Sequence, residues 1–229
     1  PYGHATANPY DTTSKAFSAV VSYDIKDLTL EGTARSTKLT RTYREATSGK
    51  DNGYGFSAIY HANDLVSVRA TVDQAKRTAE GETVYGFQAD EAERKTTRTG
   101  VDIELTPGGK FGVTFAYFRR NVEYPNRPDR VQVSGGVPVA GAAPIPGTPS
   151  GLLSAKYDSY TAEVDFTPNE RTELSAFYTY EKDAQTNQWA TTTGAALNNF
   201  LNYAGKDKVN SFGANVVLQL VPEKWTFNL

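Results

Sequence analysis

The sequence has no cysteine and only two histidines in 229 residues. Without cysteine there is no disulfide, no thiolate metal site and no covalent haem attachment through Cys-x-x-Cys-His. An oxidising compartment is permitted but not required. His4 lies near the start and His61 among turn residues, and neither has a second ligand spaced nearby. A metal centre or a nucleophile–base pair therefore lacks its parts. Neither charge sign dominates: Lys+Arg 24 against Asp+Glu 26 leaves a net charge of -2, with no general attraction for nucleic acid. Long apolar runs are also missing. Mean hydropathy is -0.52 and 38% of residues are hydrophobic, and no stretch approaches the roughly 18 consecutive apolar residues of a membrane helix. That excludes a helical membrane protein but not a membrane β-barrel, whose strands are polar on one side. No secretory leader opens the chain, which starts at Pro1; it reads as a mature protein or a piece of one.

What the sequence does have is an alternating apolar/polar rhythm that restarts after short turns. Phe111, Val113, Phe115 and Tyr117 alternate with Gly112, Thr114 and Ala116, and Val66, Val68, Ala70 and Val72 alternate with Ser67, Arg69, Thr71 and Asp73. Successive side chains of a strand point to opposite faces, so each segment has one apolar and one wet face. The same pattern recurs in segments of about ten residues, the length a tilted strand needs to cross a bilayer core. About ten strands are expected, near 14–25, 28–40, 53–62, 65–76, 97–106, 111–121, 157–167, 172–183, 208–220 and from 225. The expected fold class is all-β, an antiparallel up-and-down transmembrane β-barrel. The final strand, ending at Leu229, is too short to cross, so the chain is expected to be part of a larger barrel.

Connections alternate in length. Lys26-Asp27, His61 to Asp64, Thr106 to Lys110, Thr167 to Arg171 and Val221 to Lys224 carry tight-hairpin chemistry. The intervening ones, near 38–53, 74–96, 119–156 and 182–208, are long. Outer-membrane barrels have short periplasmic turns and long external loops, which orients the chain. The Pro- and Gly-rich stretch within 119–156 cannot be a central strand and is expected to be an external loop.

On this reading Asp24, Glu31, Arg35, Arg69, Asp73 and Asp102 face the lumen, as do Glu104, Glu163, Asp165, Glu173, Glu181 and Asn215. Val21, Tyr23, Phe56, Tyr60, Val68, Ile103, Phe111 and Phe115 face lipid, with Val164, Phe166, Leu174, Tyr178, Val216, Leu218 and Trp225. Other chemistry finds no support. Asp90-Glu91-x-Glu93 and Asp102-x-Glu104 match no defined calcium loop. Gly53-Tyr54-Gly55 and Gly108-Gly109 lack the strand-to-helix setting of a phosphate loop. No enzyme and no cofactor of its own is expected.

The phrases Thr106-Pro107-Gly108-Gly109-Lys110-Phe111, Thr167-Pro168-Asn169-Glu170-Arg171 running on to Tyr178, and Val221-Pro222-Glu223-Lys224-Trp225 repeat one turn-plus-strand unit. Together with Arg98-x-Gly100-Val101-Asp102, the Tyr-rich strand ends and the loop around Trp189, they resemble the decahaem-associated outer-membrane proteins of the MtrB/PioB type, over about residues 53–229. The resemblance implies a portion of a large barrel that sheathes a periplasmic multihaem c-type cytochrome for electron transfer across the outer membrane, with haem carried by that partner. An N-terminal Cys-x-x-Cys found in some members is absent here. The residues alone leave two alternatives open: a general diffusion porin and a soluble β-sandwich binding module.

Overall fold

The computed structural model describes residues 11–41, 46–81, 93–125, 129–131, 133–134, 137–138, 144–149, 151–191, 199–221 and 225–228. Six strands come first: β1 (Thr12–Ile25), β2 (Leu28–Arg41), β3 (Ala46–Asn63), β4 (Val66–Gly81), β5 (Arg94–Leu105) and β6 (Phe111–Glu123). Four short strands follow, β7 (Asp129–Val131), β8 (Val133–Ser134), β9 (Val137–Pro138) and β10 (Pro144–Pro149), paired as β10–β7 and β8–β9. The long strands then resume with β11 (Gly151–Asn169), β12 (Thr172–Thr191) and β13 (Asn199–Val221), ending in β14 (Trp225–Asn228).

One ten-stranded sheet takes the order β1-β2-β3-β4-β5-β6-β11-β12-β13-β14. Each neighbouring pair is antiparallel and, apart from the β6–β11 excursion, adjacent in sequence. The sheet is open, because β1 and β14 do not pair with each other. Among the described residues the only helical piece is a 3-10 turn at Pro107–Gly109, where proline fixes the entry and Gly108 takes φ 77. Lys26 turns the first hairpin at φ 51 without being glycine. The short turns are tied to one another: the His61 amide donates to the Asp27 carbonyl, Thr106 to Leu65 and Thr167 to Lys110, each at 2.8 Å.

Among the described residues no second layer covers this sheet. No large side chain among the described residues is fully buried, and Val21, Tyr23, Tyr54 and Phe212 are 66% or more exposed. A β-sandwich would bury such residues between two sheets, so the soluble-sandwich alternative fails. The strands also run longer than the alternation implied. β3 begins at Ala46 and β4 continues to Gly81, so the connection expected near 38–53 is largely strand and both ends of the one near 74–96 are strand. Likewise β12 reaches Thr191 and β13 starts at Asn199, while β6 and β11 take both ends of the stretch 119–156. In these extensions both faces are polar, as in Lys76-Arg77-Thr78, so no alternation marks them.

The ladder also sets the tilt. One continuous row of partners runs Tyr23, Leu30, Ala58, Ala70, Val101, Tyr117, Tyr160, Tyr180, Asn210. Tyr23 lies three residues from its short turn and Asn210 eleven from the end of β13, so the row climbs about one residue per strand. In a closed barrel that stagger accompanies a strand tilt of about 36°.

Candidate functional site: the two faces of the sheet

Register sorts the side chains into two faces. Asp24, Thr29, Ile59, Arg69, Asp102, Ala116, Thr161, Thr179 and Ser211 form one row of partners, directly beside the Tyr23 row but pointing to the opposite face. With it lie Glu31, Arg35, Asp73, Glu104, Glu163, Asp165, Glu173, Glu181 and Asn215, so the twelve residues expected to line a lumen share one face. On the other face lie Val21, Tyr23, Phe56, Tyr60, Val68, Ile103, Phe111 and Phe115, with Val164, Phe166, Leu174, Tyr178, Val216 and Leu218. The side chain of Trp225 lies outside the described residues.

The polar face is braced by ion pairs that span strands. Arg35 on β2 donates two hydrogen bonds to Asp73 on β4, at 2.6 and 2.7 Å, and so passes over β3. Two glycines make this passage possible. A Cβ on Gly53 would stand 3.0 Å from the Arg35 guanidinium, and one on Gly55 would stand 2.6 Å from Thr33 Oγ1 and 3.3 Å from Asp73 Oδ2. The pairing continues to β5 through Arg98, 3.5 Å from Asp73. Further along the strands, Asp51 takes Arg77 at 3.5 Å and Arg94 at 3.9 Å. Beyond β6, the Tyr157 hydroxyl donates to Glu181, Thr161 and Thr179 share a hydrogen bond at 3.0 Å, and the Phe177 ring lies over Gly213. Arg77, Arg94, Arg98, Asp51 and Phe177 carry this face as much as the residues expected from sequence. Their parity was readable, but the register that brings them together was not.

Charge on the polar face varies along the strands. Close to the short turns stand Asp24, Glu31, Asp102, Glu104, Glu163, Asp165 and Glu173, with Arg69 the lone cation of this group. Farther up, Arg35, Arg77, Arg94, Arg98 and Arg120 mix with Asp51, Asp73, Glu181, Asp183 and Asp207. The acidic end is therefore the short-turn end.

The apolar face is zoned as well. Tyr23, Tyr60, Phe111 and Phe166 lie within about four residues of the short turns, and Phe17, Tyr54, Tyr117, Tyr160, Tyr178 and Phe212 lie seven to ten residues away. Aliphatic side chains, with Phe56 and Phe115, fill the interval. Two aromatic belts flanking an apolar band are what a transmembrane β-barrel presents to lipid. At ~3.3 Å per residue and ~36° of tilt, the upper belt stands about nine residues, ~24 Å, above the short turns, against an apolar band of ~25 Å, and the two belts lie six residues, ~16 Å, apart on β1, β3, β6 and β11. Above the upper belt Asp158 is 5% exposed, bonded by Arg119 at 2.6 Å and by the Tyr117 hydroxyl at 3.1 Å.

Among the described residues no group of three or more His, Cys, Asp or Glu side chains converges on a metal position.

Comparison with known proteins agrees with this architecture. The solved structure "Copper transporter OprC" superposes with a TM-score of 0.66 at 11% identity, over 96% of this chain and 37% of that chain. The outer membrane transporter YddB from Escherichia coli aligns with a TM-score of 0.49 at 9% identity, over 91% of this chain and 31% of that one. The chain thus spans little more than a third of the length of the first of these structures. No curated protein matches the sequence. Residues 147–229 match the model of the outer membrane beta-barrel porin family MtrB/PioB. The chain is thereby placed in the bacterial outer membrane as β-barrel wall, related over that stretch to the family its turn phrases resemble.

Proposed function

We propose that this chain is part of the wall of a barrel that sheathes a multihaem c-type cytochrome and lets its electrons cross the outer membrane. The carrying observation is the MtrB/PioB match over residues 147–229, on a sheet whose opposite face is mostly polar. Support comes from the open sheet: backbone groups at membrane depth must all be paired, so β1 and the far edge need further strands to close a cylinder. A wider cylinder has room for a protein inside.

In this arrangement the chain contributes insulation and positioning. The apolar face meets hydrocarbon. The polar face keeps the interior wet and offers charged groups to the partner, while the haems belong to that partner and no cofactor is bound here. Electrons hop between haems, so the wall itself performs no catalysis.

The test is purification of the barrel from native membranes in mild detergent. The expected result is a covalent-haem band migrating with the barrel and no steady conductance in planar bilayers while the partner is bound. Haem-free material with stepwise ion currents would replace this reading with the diffusion porin.

A further inference from the structure

Beyond the upper aromatic belt, the lipid side of the sheet carries lysines on strand after strand. Lys15, Lys38, Lys50, Lys76 and Lys95 stand on β1 to β5, all exposed, each eleven to fourteen residues from its short turn. Lys156, Lys182 and Lys208 continue the line on β11 to β13 at the same height. Their faces follow from the ladder, since each shares parity with the apolar residues of its own strand. Arg119 supplies the cation on β6 and is engaged by Asp158.

Spacing makes this collar unusual. Lys15 is directly opposite Lys38, Lys38 opposite Lys50, Lys76 opposite Lys95, and Lys182 opposite Lys208. Like charges directly opposite each other on a sheet are destabilising. Among residues whose side chains are described, the acids sharing this face and height within the strands are Asp158 and Glu123, and Asp11 and Glu93 share the parity one residue before β1 and β5. Asp158 serves Arg119 and lies 3.9 Å from Lys156, and Glu123 is the partner of Lys95 in the ladder. Asp158 also stands directly opposite Lys182, whereas in the Lys15, Lys38, Lys50 row no acid stands directly opposite any of the three.

We propose that this collar binds the phosphates of the phosphorylated glycolipid that forms the outer leaflet of the outer membrane. At ~3.3 Å per residue and ~36° of tilt, eleven to fourteen residues place the ammonium groups ~29 to 37 Å above the short turns, just past an apolar band of ~25 Å. That is the headgroup level of the leaflet opposite the periplasmic turns. A lipid with acyl chains against the belt of Tyr54, Tyr117 and Tyr160 brings its sugar phosphates to the lysine pairs. Two phosphates on one rigid headgroup then neutralise neighbouring strands and convert the like-charge pairs from a liability into a binding surface. This inference rests on the membrane setting and orientation, not on the cytochrome.

The test uses the whole protein, purified in zwitterionic detergent and titrated with three probes: lipid A carrying both phosphates, lipid A stripped of them, and inorganic phosphate. With several lysines near its charged headgroup, the bisphosphorylated lipid is expected to bind at least about tenfold more tightly than the stripped lipid. The variant Lys38→Gln, Lys50→Gln, Lys76→Gln, Lys95→Gln is expected to lose that preference, and the four Lys→Arg changes to keep it. Equal binding of both lipids, an unchanged preference in the Gln variant, or competition by inorganic phosphate at the lipid's concentration would each overturn the proposal. Lys76→Gln with Lys95→Gln alone gives the same reading, at smaller size, if the fourfold variant does not fold. Heat-modifiable mobility on gels separates the two failures: a protein that never shows the folded band contradicts the membrane reading itself, whereas a folded band with phosphate indifference contradicts only the collar.

Discussion

At the scale of single residues, the polar face depends on missing side chains as much as on present ones. Gly53 and Gly55 leave the gap through which Arg35 reaches Asp73, two strands away. Gly55→Val would drive a side chain into Thr33 Oγ1, 2.6 Å from the ideal Cβ position. Its expected cost is about 1–3 kcal/mol, as for overpacking elsewhere, measured by urea unfolding in detergent micelles, with Thr33→Ala in the same chain recovering part of it. On the opposite face, Asp158→Ala leaves Arg119 and the Tyr117 hydroxyl without their acceptor. A loss of about 1–3 kcal/mol is expected, and Asp158→Asn, which keeps an acceptor, is expected to lose less. Gly53-Tyr54-Gly55 reads from sequence as turn and strand-start glycines, but β3 begins at Ala46 and they lie well inside it. Sequence could not give the glycines their purpose, because Arg35 and Asp73 are 38 residues apart and only the register of β2, β3 and β4 makes them neighbours.

At the scale of elements, the alternation that revealed the strands marks only the part of each that crosses apolar surroundings. Within that part the reading was good: Val66 to Val72, Thr99 to Leu105 and Phe111 to Tyr117 all lie in strands with their apolar members on one face. Above it both faces are wet, hydrophobicity no longer alternates, and 46–52 and 199–207 read as loop although they are ladder. The division makes a depth-dependent expectation. Arg placed at Val68, Ile103 or Val216 is expected to cost about 2–4 kcal/mol if it meets the bilayer centre, while Arg at Asn215 or Ser67, on the polar face, costs little. Unfolding titrations of the reconstituted protein measure both sets, and equal costs on the two faces would contradict the assignment of lipid to the apolar one. The turns add a smaller effect. Lys26 sits at φ 51, where glycine is unstrained, so Lys26→Gly is expected to raise stability by about 0.5–1 kcal/mol in the same titration.

At the scale of the whole molecule, stagger, aromatic belts and lysine collar are one geometry seen three ways. The climb of one residue per strand tilts the strands, the tilt sets the height of the apolar band, and the height sets where charge resumes. None of this is visible in any single segment, because height depends on distance from the short turn and row depends on register. The sequence could state which residues alternate but not how far each row climbs. The number of strands needed to complete the cylinder is likewise a property of the closed ring, whereas alternation is a property of each strand.

The uneven distribution of charge along the polar face has an electrical consequence. Carboxylates gather at the short-turn mouth, and arginines dilute them farther in. Under the proposed sheath, the passage emptied of its cytochrome is expected to concentrate potassium at one mouth only and so to behave as a diode. Current driven inward from the acidic mouth is expected to exceed the reverse current at equal voltage in dilute potassium chloride. Neutralising Asp102 and Glu104 as Asp102→Asn and Glu104→Gln is expected to straighten the curve, and a wild-type trace that is already symmetric would show that the mouth exerts no such bias.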